Sequence, residues 1–124
     1  MYEIRVEEGF SAAHALPGYE GNCSRIHGHN WKVRVYLRSY ELDDVGLVLD
    51  FRKVRKAVKE LLKEFDHTLL NEHPEFKEKA PSSENLAAYL YRRFKSMIED
   101  GRCLLHAVEV EENHGVAAIY YGES

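Results

Sequence analysis

Residues 23–31 read CSRIHGHNW. Two histidines stand on either side of a glycine, with a cysteine just ahead of them. Side chains two apart on a strand leave from the same face. His27 and His29 therefore project together if a strand starts here, on the parity of Trp31 and Val33. His14 closes an earlier stretch in which Ile4, Val6, Phe10 and Ala12 share its parity. If the two strands are neighbours, three imidazoles converge at one end of a sheet. Three neutral imidazoles and one open position are the donor set of a catalytic zinc site. Gly28 keeps the backbone between the paired ligands free of bulk. Each histidine alone is better read as a satisfied core or turn residue, and H-x-H by itself is not specific. The combination sets a zinc site beside that reading.

Three further groups can do chemistry. Cys23 lies in a loop next to these histidines, and a neighbouring imidazole or metal lowers a thiol's pKa enough to make it a base or nucleophile; otherwise it is a small loop hydrophobe. Asp66 and His67 are adjacent in EFDHTLLN. A carboxylate orienting an imidazole that takes a proton from a thiol is the triad arrangement, but neighbours meet only if the chain bends there; otherwise the pair is a helix end with solvated charge. Glu112 shares parity with Val108 and Val110. An inward carboxylate is costly unless paired, and it can accept two N–H bonds from the amidine-like edge of a pterin or guanine. The alternative is a strand end reaching solvent beside Glu111. Cys103 reads as an apolar strand residue, and His73, His106 and His114 as structural or exposed.

The elements that must hold these groups follow from periodicity. Residues 2–14 alternate as a strand, with Glu8 as the exception that predicts a bulge or a change of facing. Residues 15–26 read as a loop. Residues 27–38 alternate as a half-buried second strand, and GLVLDF at 46–51 as a short third one. Asp50 caps a helix with an apolar stripe at Phe51, Val54, Val58, Leu61 and Phe65. Ser82 or Ser83 caps a second helix, with Glu84 in its first turn and a stripe at Leu86, Leu90, Phe94 and Met97. The last part reads as a hairpin turning near Asn113–Gly115. Strands grouped in this way predict an α+β fold, with an antiparallel sheet and helices on one face.

Composition narrows the function classes. At 124 residues the chain reads as a single domain, residues 1–124. Its 44% hydrophobic and 31% charged residues are ordinary for a globular protein, and a net charge of −4 argues against a nucleic-acid partner. No apolar run approaches the roughly 20 residues that span a bilayer. The N-terminus, MYEIRVEEGF, reads as a strand and not a signal peptide, so the expected compartment is the cytoplasm, with reduced thiols.

Taken together the residues resemble the 6-pyruvoyl-tetrahydropterin synthase family. FSAAHAL, CSRIHGH, LDF at 49–51, FDHTLLN at 65–71, PSSENLA at 81–87 and the closing VEENHGVAAIYYG carry the resemblance nearly end to end. It implies the tunnelling fold: a four-stranded antiparallel sheet, plus a short extra strand, with two helices on one face. It implies Zn2+ bound by His14, His27 and His29, and Cys23 as the proton-moving residue tuned by Asp66 and His67. It implies Glu112 as the pterin anchor and Ser82, Ser83 and Glu84 near the substrate, with Ser where relatives often have Thr. Arg25 is a candidate triphosphate contact, or else an exposed loop charge. The implied substrate is 7,8-dihydroneopterin triphosphate, and the implied assembly a homo-oligomer of trimers, as a hexamer, with active sites between subunits. The short spacing between Cys23 and HGH resembles the branch that forms 6-carboxytetrahydropterin on the way to 7-deazaguanine nucleosides such as queuosine. The alternatives are the pyruvoyl-forming branch, in which only triphosphate leaves, and a non-catalytic pterin- or purine-binding relative.

Overall fold

A computed structural model describes residues 1–18 and 24–123. Strands β1 (Tyr2–His14) and β2 (His27–Ser39) pair antiparallel along their whole length, from Tyr2 opposite Ser39 to His14 opposite His27. Alternation dictates the facing of β2: Trp31, Val33, Val35 and Leu37 are at most 1% exposed, while Lys32 and Arg34 take the other face. Glu8 does not mark a bulge. It sits opposite Val33 in unbroken register and keeps the inner face, where Arg55 at 2.7 Å and Lys59 at 3.7 Å answer its charge.

Residues 46–51 form no strand, contrary to the sequence expectation. The Asp43 carboxylate accepts the N–H groups of Val45 and Leu47, Arg102 donates to the Val48 carbonyl, and Asp50 caps the next helix through the Arg52 N–H. With those groups engaged, no ladder forms; Val48 and Leu49 are apolar because they plug the core. Helix α1 (Phe51–Leu62) buries Val54, Val58, Leu61 and Leu62. Phe65, expected on its stripe, lies beyond the helix end yet is fully buried, whereas Phe51 is exposed. The third strand is instead β3 (Thr68–Leu69), two residues long and parallel to Ala12–Ala13 of β1.

Two short 3-10 turns, Leu70–Glu72 and Pro74–Phe76, lead to helix α2 (Ser83–Ile98). Its buried face is Leu86, Ala87, Tyr89, Leu90, Phe94 and Ile98; Ile98 occupies the place expected of Met97, which is exposed. Glu64 pins the intervening loop onto α2, accepting from Tyr89 and Arg93 and from His73 Nε2 at 3.0 Å. His73 Nδ1 accepts from the Glu75 N–H, so its proton sits on Nε2, toward Glu64. His73 is structural, as expected.

Strand β4 (Leu104–Asn113) pairs antiparallel with β2, and β5 (Val116–Tyr120) with β4. The hairpin turns through Gly115 at φ +88°, a conformation that favours glycine. The sheet order is β3-β1-β2-β4-β5, an α+β fold with four antiparallel strands and one short parallel addition. The core lies between one sheet face and the two helices. Cys103 is a free thiol within it, and burial pushes its pKa up. No helix among the described residues is long and apolar enough to cross a membrane.

Candidate metal centre

The inner faces of β1, β2 and β4 end together, and there the apolar layer gives way to polar side chains. His14 stands across from His27 in the ladder, and His29 follows two residues on. The ring centroids lie 4.6 Å (His14–His27), 4.8 Å (His27–His29) and 5.2 Å (His14–His29) apart. Trp31 backs the group, its ring edge-on to His14 at 4.9 Å and His29 at 5.5 Å, with its indole N–H bonded to the Ala12 carbonyl.

Each imidazole is keyed through Nδ1. His14 Nδ1 lies 2.8 Å from the Pro81 carbonyl, His27 Nδ1 2.7 Å from the Arg25 carbonyl, and His29 Nδ1 3.0 Å from Asn113 Oδ1. A carbonyl oxygen only accepts, so Nδ1 carries the proton and each Nε2 offers a lone pair. Glu112 Oε1 stands 2.8 Å from His14 Nε2 and 3.4 Å from His29 Nε2, off hydrogen-bonding geometry. The buried Nε2 atoms of His14 and His29 have no hydrogen-bond partner among the described residues. One donor atom from each of the four residues falls within 4.8 Å of all the others. Three lone pairs and a carboxylate oxygen repel one another unless a proton or a cation sits among them, and this donor set fits a metal ion. Burial lowers the His14 pKa; the Pro81 bond and Glu112 raise it in part, and the other two imidazoles lower it further. The result favours the neutral, ligating form.

Glu111 and Glu112 divide between the faces of the sheet. Glu111 turns outward to Arg34 at 3.1 Å, and Glu112 turns inward to the histidines. The strand-end reading of Glu112 as a solvent-facing neighbour of Glu111 does not hold.

The bend that Asp66 and His67 require is present. His67 has φ +60°, its N–H donates to the Ser11 carbonyl, and Asp66 Oδ1 accepts from the Ser11 N–H. Asp66 Oδ2 then meets His67 Nδ1 at 3.0 Å. The Ser11 bond, followed by the contact with His67, holds the Asp66 carboxyl below the usual carboxylate range. The His67 side chain is 82% exposed. His67, His29, Asn30, Thr68 and Asn113 line one open depression of about 630 Å³. A Cβ on Gly28 would meet nothing within 4 Å among the described residues.

The family described as 6-pyruvoyl tetrahydropterin synthase matches residues 3–123. The chain belongs to this family. It is 37% identical over 126 residues to the 6-carboxy-5,6,7,8-tetrahydropterin synthase of Synechocystis sp., covering 98% of this chain and 94% of that one. It is 40% identical over 110 residues to an Archaeoglobus fulgidus protein provisionally given the same name, covering 89% and 87%. Among solved structures, 6-pyruvoyl tetrahydropterin synthase of Caenorhabditis elegans superposes with a TM-score of 0.85 at 30% identity, covering 98% of this chain and 96% of that one.

The remaining expected residues of this pterin synthase fold divide into those near the cluster and those apart from it. Cys23 lies outside the described residues. Arg25 reaches the site by its carbonyl; its side chain is exposed. Ser82 is the cap of α2, its Oγ accepting from the Asn85 N–H at 3.1 Å. Ser83 and Glu84 make no side-chain hydrogen bond or ion pair among the described residues. Sequence reasoning missed Asn113, Trp31 and the Pro81 carbonyl. Trp31 follows His29 at spacing two and was legible as its neighbour on the face; a backbone acceptor leaves no residue signature.

Proposed function

We propose that this chain performs the zinc-dependent conversion of 7,8-dihydroneopterin triphosphate to 6-carboxy-5,6,7,8-tetrahydropterin, releasing triphosphate and acetaldehyde, a step in making 7-deazaguanines. The observation that carries the proposal is the convergence of three Nδ1-keyed imidazoles with an inward glutamate. Relatives named for this activity, alike over most of the chain, support it. His14, His27 and His29 would hold the metal through Nε2. A metal there supplies Lewis-acid polarisation of the substrate's side-chain oxygens.

The chain's own groups divide the remaining work. Glu112 accepts the N–H edge of the pterin and fixes the ring against the cluster. Cys23 moves the proton at the side-chain carbon. Asp66 orients His67 so that Nε2 takes a proton from a thiol, the general logic of a base held by a carboxylate. His67 is too exposed in one chain to work in dry surroundings. Assembly into a trimer-based homo-oligomer, with the active site between subunits, would enclose it. The exposed, uncharged β5 edge, with Val116 55% and Ile119 44% exposed, supports such assembly.

The likeness to the Caenorhabditis elegans 6-pyruvoyl tetrahydropterin synthase favours a second reading in which triphosphate alone is lost. Incubating the zinc-loaded protein with 7,8-dihydroneopterin triphosphate separates the two. Acetaldehyde released in step with a 6-carboxy product supports the first; a three-carbon product without acetaldehyde overturns it in favour of the second. Consumption of no substrate by protein loaded with zinc through these histidines overturns both.

A further inference from the structure

We propose that Asn113 is a positioning residue that sets the metal affinity of the centre by fixing the tautomer and orientation of His29; this rests on the metal reading above. In a regular strand, residues 112 and 113 point to opposite faces. Here the ladder runs from Glu111 opposite Ala117 directly to Asn113 opposite Val116, so Glu112 has no partner across the hairpin. The extra residue is a β-bulge, a device that re-aims side chains at strand ends. Both neighbours consequently reach the same cluster: Glu112 Oε1 at 2.8 Å from His14 Nε2, and Asn113 Oδ1 at 3.0 Å from His29 Nδ1.

The three ligands are not keyed alike. His14 and His27 bond to backbone carbonyls, which any residue type supplies. Among the described residues, His29 alone is keyed by a side chain, so position 113 is where residue choice tunes the centre. Removing that acceptor lets the proton move to Nε2, which cancels the lone pair that binds a cation. Loss of such an outer hydrogen bond costs about 10–100-fold in metal affinity. A carboxylate in the same place is a stronger acceptor and raises the basicity of the ring.

The test is titration of the metal-free protein with Co2+, read by ligand-field absorption, followed by competition with Zn2+. Asn113→Ala is expected to bind both ions about 10–100-fold more weakly than wild type. Asn113→Asp, close in shape, is expected to bind at or above the wild-type level. Thermal melting of the metal-free variants shows whether each folds. Asn113→Ala binding within twofold of wild type overturns the inference, as does Asn113→Asp binding as weakly as Asn113→Ala, which would make the role one of packing. Wild-type protein that binds neither ion overturns the metal reading itself, an outcome distinct from the other two.

Discussion

Ser82 separates two roles that one serine can hold at this position. Its Oγ accepts the Asn85 N–H at 3.1 Å, at the start of α2. The neighbouring Pro81 carbonyl holds His14 Nδ1 at 2.8 Å. Ser82→Ala removes the cap bond and leaves the other local bonds in place, from the Leu86 N–H to the Ser82 carbonyl and from the Asn85 side chain to the Ala80 carbonyl. One lost cap costs about 1 kcal/mol, whereas glycine at an N-cap costs only a few tenths. Unfolding entropy of about 2.1 cal/mol/K per residue makes about 0.26 kcal/mol/K for a chain of this length, so ~1 kcal/mol moves Tm by about 4 °C. Calorimetry of the metal-free protein should therefore show Ser82→Ala about 4 °C below wild type and Ser82→Gly about 1 °C below. Steady-state kinetics on the metal-loaded protein should show kcat/KM of Ser82→Gly within about twofold of wild type. Equal Tm values for the two variants, with an equal tenfold or greater loss of kcat/KM, would refute the reasoning: the hydroxyl would then act on substrate and not on the helix.

Cys23→Ala should abolish turnover while metal stoichiometry by elemental analysis stays at the wild-type value; loss of metal would make Cys23 a ligand instead. Glu112→Gln should raise the Kd for a pterin, followed by fluorescence, by about tenfold or more, with a smaller change in Zn2+ affinity; equal losses would make Glu112 a metal ligand first. Glu64 gives the pH-dependent case. Burial raises its pKa, but the bonds from His73, Tyr89 and Arg93 outweigh this and leave it below the ordinary 4.5. Its stabilisation is complete above about pH 4.5 and is lost as pH falls through the lower folded value. Melting curves of wild type and Glu64→Gln should differ most near neutral pH and converge in acid; a gap that widens in acid would reverse the sign of the argument.

The two long strands and the facing of their histidines were legible because alternation over many residues leaves one register that buries Val33, Val35 and Leu37. The same rule gives Glu112 the inward parity of Val108 and Val110, one of the two readings it leaves open at a strand end. What failed was short or contingent. Residues 46–51 carry the apolar content of a strand, but a run that short cannot be told from a core plug by periodicity. The two residues of β3 carry no period at all. Glu8 looked like a break in the pattern because its compensation, Arg55 and Lys59, lies on a helix far along the chain. The register shifts that the ladders do show, at Tyr36–Leu37 and at Glu111–Asn113, leave no mark in the pattern, and the second is read only through Asn113's contact with His29, distant in sequence.

Where the ladders end decides what the inner face can hold. Along most of the sheet that face is capped by helices, and a charge there needs a cation reaching down from α1, as Glu8 has. At the far end the cover is different: the Pro81 carbonyl just before α2, and the strand ends themselves. Among the described residues these supply acceptors to every imidazole Nδ1 and no donor to the buried Nε2 atoms of His14 and His29. The three imidazoles are thus oriented from outside the cluster and left electron-rich inside it, and Glu112 adds a fourth acceptor to the same space. Acceptors held together in this way repel one another, and a proton or a metal ion among them relieves that repulsion. Among the described residues, this end of the sheet is thus fitted to hold a metal ion, before any substrate is considered.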